Sequence, residues 1–160
     1  MPTTIFEAKP YDPIKERRKR LIVWGTIIVV VVVSFLVWWF RFLPYEHRVD
    51  KFFDALQQKQ YETAYGIWMN DSDWKQHPQK YDRYPEPQFI LDWGPSSEYG
   101  AITKHTIDCA TEPPKKGFAS PSGVIVVATI NGRSKSTSLW VEKKSGSVSE
   151  SPQEVLCHTP

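Results

Sequence analysis

Cysteine is scarce in this sequence: Cys109 and Cys157 are the only two among 160 residues. A structural metal site needs about four ligands at close spacing, and Cys157 with its neighbour His158 lacks the second C-x-x-C or H-x-x-H pair. The histidines, His47, His77, His105 and His158, are scattered without ligand spacing. No G-x-S-x-G, Walker loop, Rossmann glycine fingerprint or H-E-x-x-H is present, so no motif names a reaction, a metal or a cofactor. Internal repeats are absent too. Charge is almost balanced, with 20 Lys+Arg against 18 Asp+Glu. The surplus sits in the first twenty residues, where Lys9, Lys15, Arg17, Arg18, Lys19 and Arg20 outnumber Glu7, Asp12 and Glu16. A basic cluster there suits an anionic lipid leaflet and is no argument for nucleic acid.

What the chain does have is Leu21 to Phe40, twenty residues without a charge. At about 1.5 Å per residue such a helix matches a bilayer core of roughly 30 Å, and its closed backbone bonding makes lipid tolerable. The run is longer than a secretory signal core and no Ala-x-Ala-like cleavage site follows it, so an uncleaved signal anchor over 21–43 is expected. Arg17, Arg18, Lys19 and Arg20 set the topology: the N-terminal tail, residues 1–20, stays in the cytoplasm of an inner (cell) membrane and the C-terminal part is exported to the periplasmic side. Trp24 near one boundary and Trp38 and Trp39 near the other read as interfacial anchors. Val29 to Val33 would be a poor helix in water, but lipid leaves the backbone no other partners. No small-xxx-small pair marks a helix-dimer face.

Residues beyond the span are enough for one domain. Pro44 suits a first helical turn. Val49, Phe52, Phe53 and Leu56 fall at i, i+3, i+4 and i+7, and Tyr61, Ala64, Tyr65 and Trp68 repeat the spacing after the polar Gln57 to Gln60. Two helices joined by a tight turn, or one bent helix, are predicted. Asn70-Asp71-Ser72-Asp73 is a capping and turn cluster, and its first three residues match a glycosylation sequon relevant only to a eukaryotic host. Pro78, Pro85, Pro87 and Pro95 forbid long elements, leaving a short helix around Gln88 to Trp93 with Tyr81, Tyr84, Phe89 and Trp93 as plugs. After Gly100 the period becomes two. Ala101 to Cys109 reads as a strand with His105, Ile107 and Cys109 on one face. A loop, Pro113 to Gly117, precedes a β-branched strand, Gly123 to Ile130, and Asn131-Gly132 is the strongest hairpin signal. Ser136 to Lys143 returns with Leu139 and Val141 opposite Trp140 and Glu142, and Ser147 to Glu150 adds a short edge. The fold class is α+β: an N-terminal transmembrane helix, then a helix pair on a bent three- to four-stranded antiparallel sheet.

Val49-Asp50-Lys51-Phe52-Phe53-Asp54-Ala55-Leu56 followed by Tyr61-Glu62-Thr63-Ala64-Tyr65 resembles the helix pair of the NTF2-like (cystatin-like) superfamily, which often shows V-x-x-F-F-x-A-L and Y-x-x-A-Y. The resemblance covers residues 45 to 152 and implies a sheet curled into a cone around the helices, here over 44–152 with a tail at 153–160. Single-pass proteins with an exported domain of this kind act mainly as docking or assembly modules, which implies a non-catalytic role with a membrane-protein partner or self-association across the open sheet face. The alternative is a binder of a small hydrophobic ligand in a cone pocket lined by Phe53, Tyr65, Trp93 and Trp140. Less favoured is an enzyme of the kind this superfamily also contains, using Asp92 and His105 with Tyr65. An Asp before a turn is more often a backbone cap, and a mid-strand His often just meets solvent.

Both cysteines lie on the exported side, where an oxidising compartment favours a Cys109–Cys157 disulfide over two free thiols. Closing that loop would restrict the unfolded chain by roughly 4 kcal/mol.

Overall fold

The computed structural model describes residues 13–114, 122–134, 136–155 and 157. The tail as far as residue 12, the loop from Lys115 to Gly117 and His158 lie outside the described residues. Two compact units divide the chain, one ending at Arg41 and one starting at Phe42.

Among its described residues the first unit holds one helix, α1, Pro13–Trp39. It starts inside the stretch expected to be tail, because proline is tolerated in a first helical turn and Lys, Arg and Glu favour helix, so nothing separates the basic cluster from the apolar run. Glu16 and Arg20 pair one turn apart at 3.4 Å. Every described residue from Glu16 to Arg41 is exposed, and the helix is long and apolar enough to cross a membrane. The hydroxyl of Thr26 donates to the carbonyl of Ile22 at 2.9 Å, so this polar group inside the apolar run satisfies itself.

The second unit opens with α2, Leu43–Gln57, and α3, Tyr61–Met69, joined by a tight turn. Pro44 occupies the first turn of α2. Lys59 adopts φ 59°, which lets Gln60 N–H reach back to the Ala55 carbonyl at 2.8 Å and reverses the chain. As the spacing predicts, Val49, Phe52, Phe53 and Leu56 are buried on α2, and Ala64, Tyr65 and Trp68 on α3. Two single turns of 3-10 helix, Trp74–Gln76 and Pro78–Tyr81, lead to α4, Glu86–Trp93. Phe89 and Trp93 of α4 are fully buried plugs, with Tyr81 and Tyr84 packed at the edge.

Four strands follow as an antiparallel meander in the order β1-β2-β3-β4: His105–Thr111, Gly123–Ile130, Thr137–Glu142 and Val148–Glu150. The architecture is therefore α+β. Its core lies between the helices and one sheet face made by Val124, Val126, Ala128, Ile130, Leu139, Val141 and Val148. Asn131 and Gly132 make the predicted hairpin turn, both with positive φ (54° and 65°). Asn131 does more than turn. Its Oδ1 accepts from Thr103 N at 2.8 Å, and its Nδ2 donates to the Ala101 carbonyl at 3.0 Å. Those bonds hold 101–104 as an irregular approach, so β1 starts later than the alternation predicts.

Cys109 does not share a sheet face with His105 and Ile107, contrary to the alternation of β1. The ladder runs Ile107↔Ala128 and then Cys109↔Val127, so Asp108 is an extra residue and β1 is bulged there. The bulge turns Cys109 onto the face opposite His105 and Ile107. There it forms the disulfide with Cys157, the Cα atoms 5.9 Å apart. Trp140 lies on that same outer face, opposite Ile125.

Candidate functional site

Residues 44, 47, 48 and 51 repeat the i, i+3, i+4, i+7 spacing on the side of α2 away from the core. Pro44, His47, Arg48 and Lys51 line one wall of a surface groove of about 750 Å³. Glu62, Thr63, Gly66 and Ile67 of α3 line the other, and Asn70 to Ser72 with Trp74 and Lys75 close it. Gly66 permits the tight fit at the base: a Cβ there would stand 3.1 Å from the Asp71 carbonyl oxygen and 3.6 Å from the Trp74 ring. Trp74 is held edge-on to Tyr65, with ring centroids 4.7 Å apart.

Arg48 is the best-positioned charge in the groove. Its Nη1 donates to Asn70 Oδ1 and to the Gly146 carbonyl, the latter at 2.6 Å. Asn70 ends α3 in the left-handed conformation, and its Nδ2 donates to the Ser145 carbonyl at 2.6 Å. Guanidinium and amide thus tie α2, the end of α3 and the β3–β4 turn together. Local pattern explains half of this, because Asn tolerates the left-handed region better than most residues. The other half spans 98 residues of sequence.

The acids of the groove are already engaged. Asp71 accepts hydrogen bonds from Tyr81, from His77 at 2.8 Å, from Lys80 at 3.4 Å and from the backbone N–H of Asp73 at 3.0 Å. The Tyr81 hydroxyl, then His77, hold its carboxyl well below the usual carboxylate range. Glu62 pairs with Lys75, both largely exposed, and Lys75 also lies 5.7 Å from the Trp74 ring centre.

Of the six pocket residues predicted from sequence, Phe53 meets Trp93 and His105 at ring-centroid distances of 6.1 and 5.3 Å, whereas Trp140 stands apart from them on the outer sheet face. Phe53, Tyr65 and Trp93 are at most 1 % exposed and pack into the core, lining neither recess described here. Phe52 meets Phe53, Trp68 and Trp93 at centroid distances of 5.2 to 5.3 Å, so the space between helices and sheet is filled with rings. Trp140 sits on the other face of the sheet, over Gly123. Among the described residues Asp92 caps no backbone; it accepts from Tyr84 OH at 2.7 Å and from Gln88 Nε2 at 3.0 Å. Burial, then the Asp92 bond, pushes the Tyr84 phenol far up, so it stays a neutral donor. Tyr65 OH donates to the Tyr84 carbonyl at 2.7 Å. His105 faces inward, its side chain 7 % exposed, with Nε2 2.9 Å from Asp50 and Nδ1 2.6 Å from Gln57. It clamps β1 to α2 and has no bond to Asp92.

A second recess of about 300 Å³ is polar, bounded by Glu98, Tyr99, Arg133, Glu150 and Glu154. Arg133 Nη2 donates to the Glu98 carbonyl at 2.7 Å and closes one end. Among the described residues no three His, Cys, Asp or Glu side chains gather to hold a metal, and Cys157 is taken by its disulfide. The groove residues Arg48, Lys51, Glu62 and Trp74 escaped sequence reasoning. The one available signal was the second polar stripe on α2, which reads equally well as a solvated face. No family model, no curated protein and no solved structure matches this chain.

Proposed function

We propose that this chain is a single-pass inner-membrane protein whose exported, NTF2-like domain is a non-catalytic docking module for a polypeptide of a membrane complex. α1 is its anchor, with Arg17, Arg18, Lys19 and Arg20 on the cytoplasmic side and the second unit on the periplasmic side. The observation that carries the docking role is the contrast between an interior filled by aromatic rings and an open groove of about 750 Å³ between α2 and α3. The ring contacts of the interior favour this reading over the hydrophobic ligand of the alternative, and the separate hydrogen bonds of Asp92 to Tyr84 and of His105 to Asp50 favour it over a reaction centre shared by the two. The outer sheet face is a poorer docking surface. Thr106, Asp108 and Ser149 are exposed there, and its apolar Ile125 and Val127 are buried.

The test is a photoreactive side chain placed singly at Thr63, in the groove, or at Thr106, on the outer sheet face, of the full chain in intact membranes. A covalent adduct with another membrane polypeptide from Thr63, absent from Thr106 and lost on adding Arg48→Glu, is expected. Adducts from Thr106 alone, or adducts only with a second copy of this chain, would overturn the reading.

A further inference from the structure

The groove carries an imbalance that identifies its ligand. Its two acids are neutralised from within: Asp71 by Tyr81, His77 and Lys80, and Glu62 by Lys75. Its α2 wall is not. Arg48 spends only Nη1 on Asn70 and Gly146, leaving Nε and Nη2 without a partner among the described residues. Lys51 and His47, beside it on the same helix face, have no partner either. The pinned guanidinium has already lost its rotational freedom, so a carboxylate meeting its free edge bears little of the ordering cost. Charge-assisted, two-point binding of that kind is the strong form of a polar contact. The rest of the groove is different in character. Pro44, Ile67 and the flank of Trp74 offer apolar surface next to the cations.

We propose that the groove between α2 and α3 receives a polypeptide segment in which an acidic side chain is flanked by apolar ones: the carboxylate on Arg48, with Lys51 reinforcing it, and the apolar neighbours over Ile67 and Trp74. A lipid phosphate would satisfy the cations but leave the apolar surface wet, whereas an acidic–apolar segment covers both. This proposal rests on the docking reading of the same groove and adds the chemistry of what docks.

The experiment uses the full chain in nanodiscs of zwitterionic lipid. Fluorescent ten-residue peptides, one with Glu between Leu and Phe and matched ones with Gln or Lys in its place, are titrated by anisotropy. Hydrogen exchange over residues 61–75 locates the contact. The Glu peptide should bind, protect that segment, weaken as salt rises and bind roughly tenfold tighter than the Gln peptide. Lys51→Glu, on an exposed position, should lower affinity by a similar factor even if Arg48→Gln disturbs the fold. Equal binding of the three peptides, or binding of none, would overturn the proposal. So would protection of residues 61–75 by nanodiscs rich in phosphatidylglycerol without any peptide, which would make the ligand a lipid headgroup. The two readings fail separately: a photoadduct from Thr63 onto a basic or uncharged partner segment would sink the acidic ligand and keep the docking role, whereas loss of the Thr63 adduct would remove both.

Discussion

Asp71 shows how one side chain can organise a region that has almost no regular structure. The stretch from Trp74 to Tyr84 contains only two turns of 3-10 helix, and three of its side chains, His77, Lys80 and Tyr81, converge on this carboxylate. Because its folded carboxyl is held below the ordinary aspartate value of 3.8, the unfolded chain binds a proton more readily than the native one in acid. Stability from this group is therefore complete above about 3.8 and is lost as pH falls below it. We expect the urea midpoint of the full chain in detergent to fall across that acid range, and to fall less steeply in Asp71→Asn. Equal slopes for the two proteins would show that the cluster contributes nothing to acid sensitivity. His105 makes the same point about placement. Nothing near it in sequence announces Asp50 or Gln57, because the helix that carries them precedes it by about fifty residues.

At the scale of elements, the periodicities carried most of the information. The α2 and α3 stripes, the short helix before Gly94, the Asn131-Gly132 turn and the alternation of Leu139 with Trp140 are all local patterns, and each stands where the spacing predicts. The bulge at Asp108 was not legible, since one inserted residue leaves no mark on composition yet reverses the face of every residue after it in β1. On the outer face of the sheet the Trp140 indole packs directly over Gly123. A Cβ on Gly123 would stand 2.2 Å from Cε2 of Trp140. Strand propensity alone says that Gly123→Ala should stabilise β2 by roughly 0.5–1 kcal/mol. Overpacking wins over that gain, and we expect a net loss of about 2 kcal/mol in urea denaturation. The loss should shrink or reverse when Trp140→Ala is added, because the indole is what the methyl group meets. An undiminished loss in the double variant would place the constraint in the backbone of β2.

For the whole molecule, the disulfide joins positions 48 residues apart, and a loop of that length makes it worth roughly 4 kcal/mol in the chain-entropy account. Non-reducing mass mapping of the protein from membranes should recover the Cys109 peptide linked to the Cys157 peptide. Cys109→Ser with Cys157→Ser should lower unfolding free energy by up to that amount while circular dichroism keeps its α+β signature. Two alkylatable thiols in the native protein would refute the bridge. Reduction is expected to matter most for the segment beyond β4, which the bridge ties to β1 on the outer sheet face.

Hydrophobic runs and their period are properties of neighbouring residues, so the apolar helix, the core stripes of α2 and α3, the hairpin and the α+β order could be read from the order of the amino acids alone. The groove was a different kind of object. It exists because Arg48, Asn70 and the carbonyls of Ser145 and Gly146 are brought within hydrogen-bonding distance, and because Gly66 lets Trp74 close against α3. Phe53, Tyr65 and Trp93 looked the same in sequence whether they lined a cavity or filled one. Only tertiary packing decided that they fill it, because whether rings meet one another or leave a void depends on where separate elements come to rest.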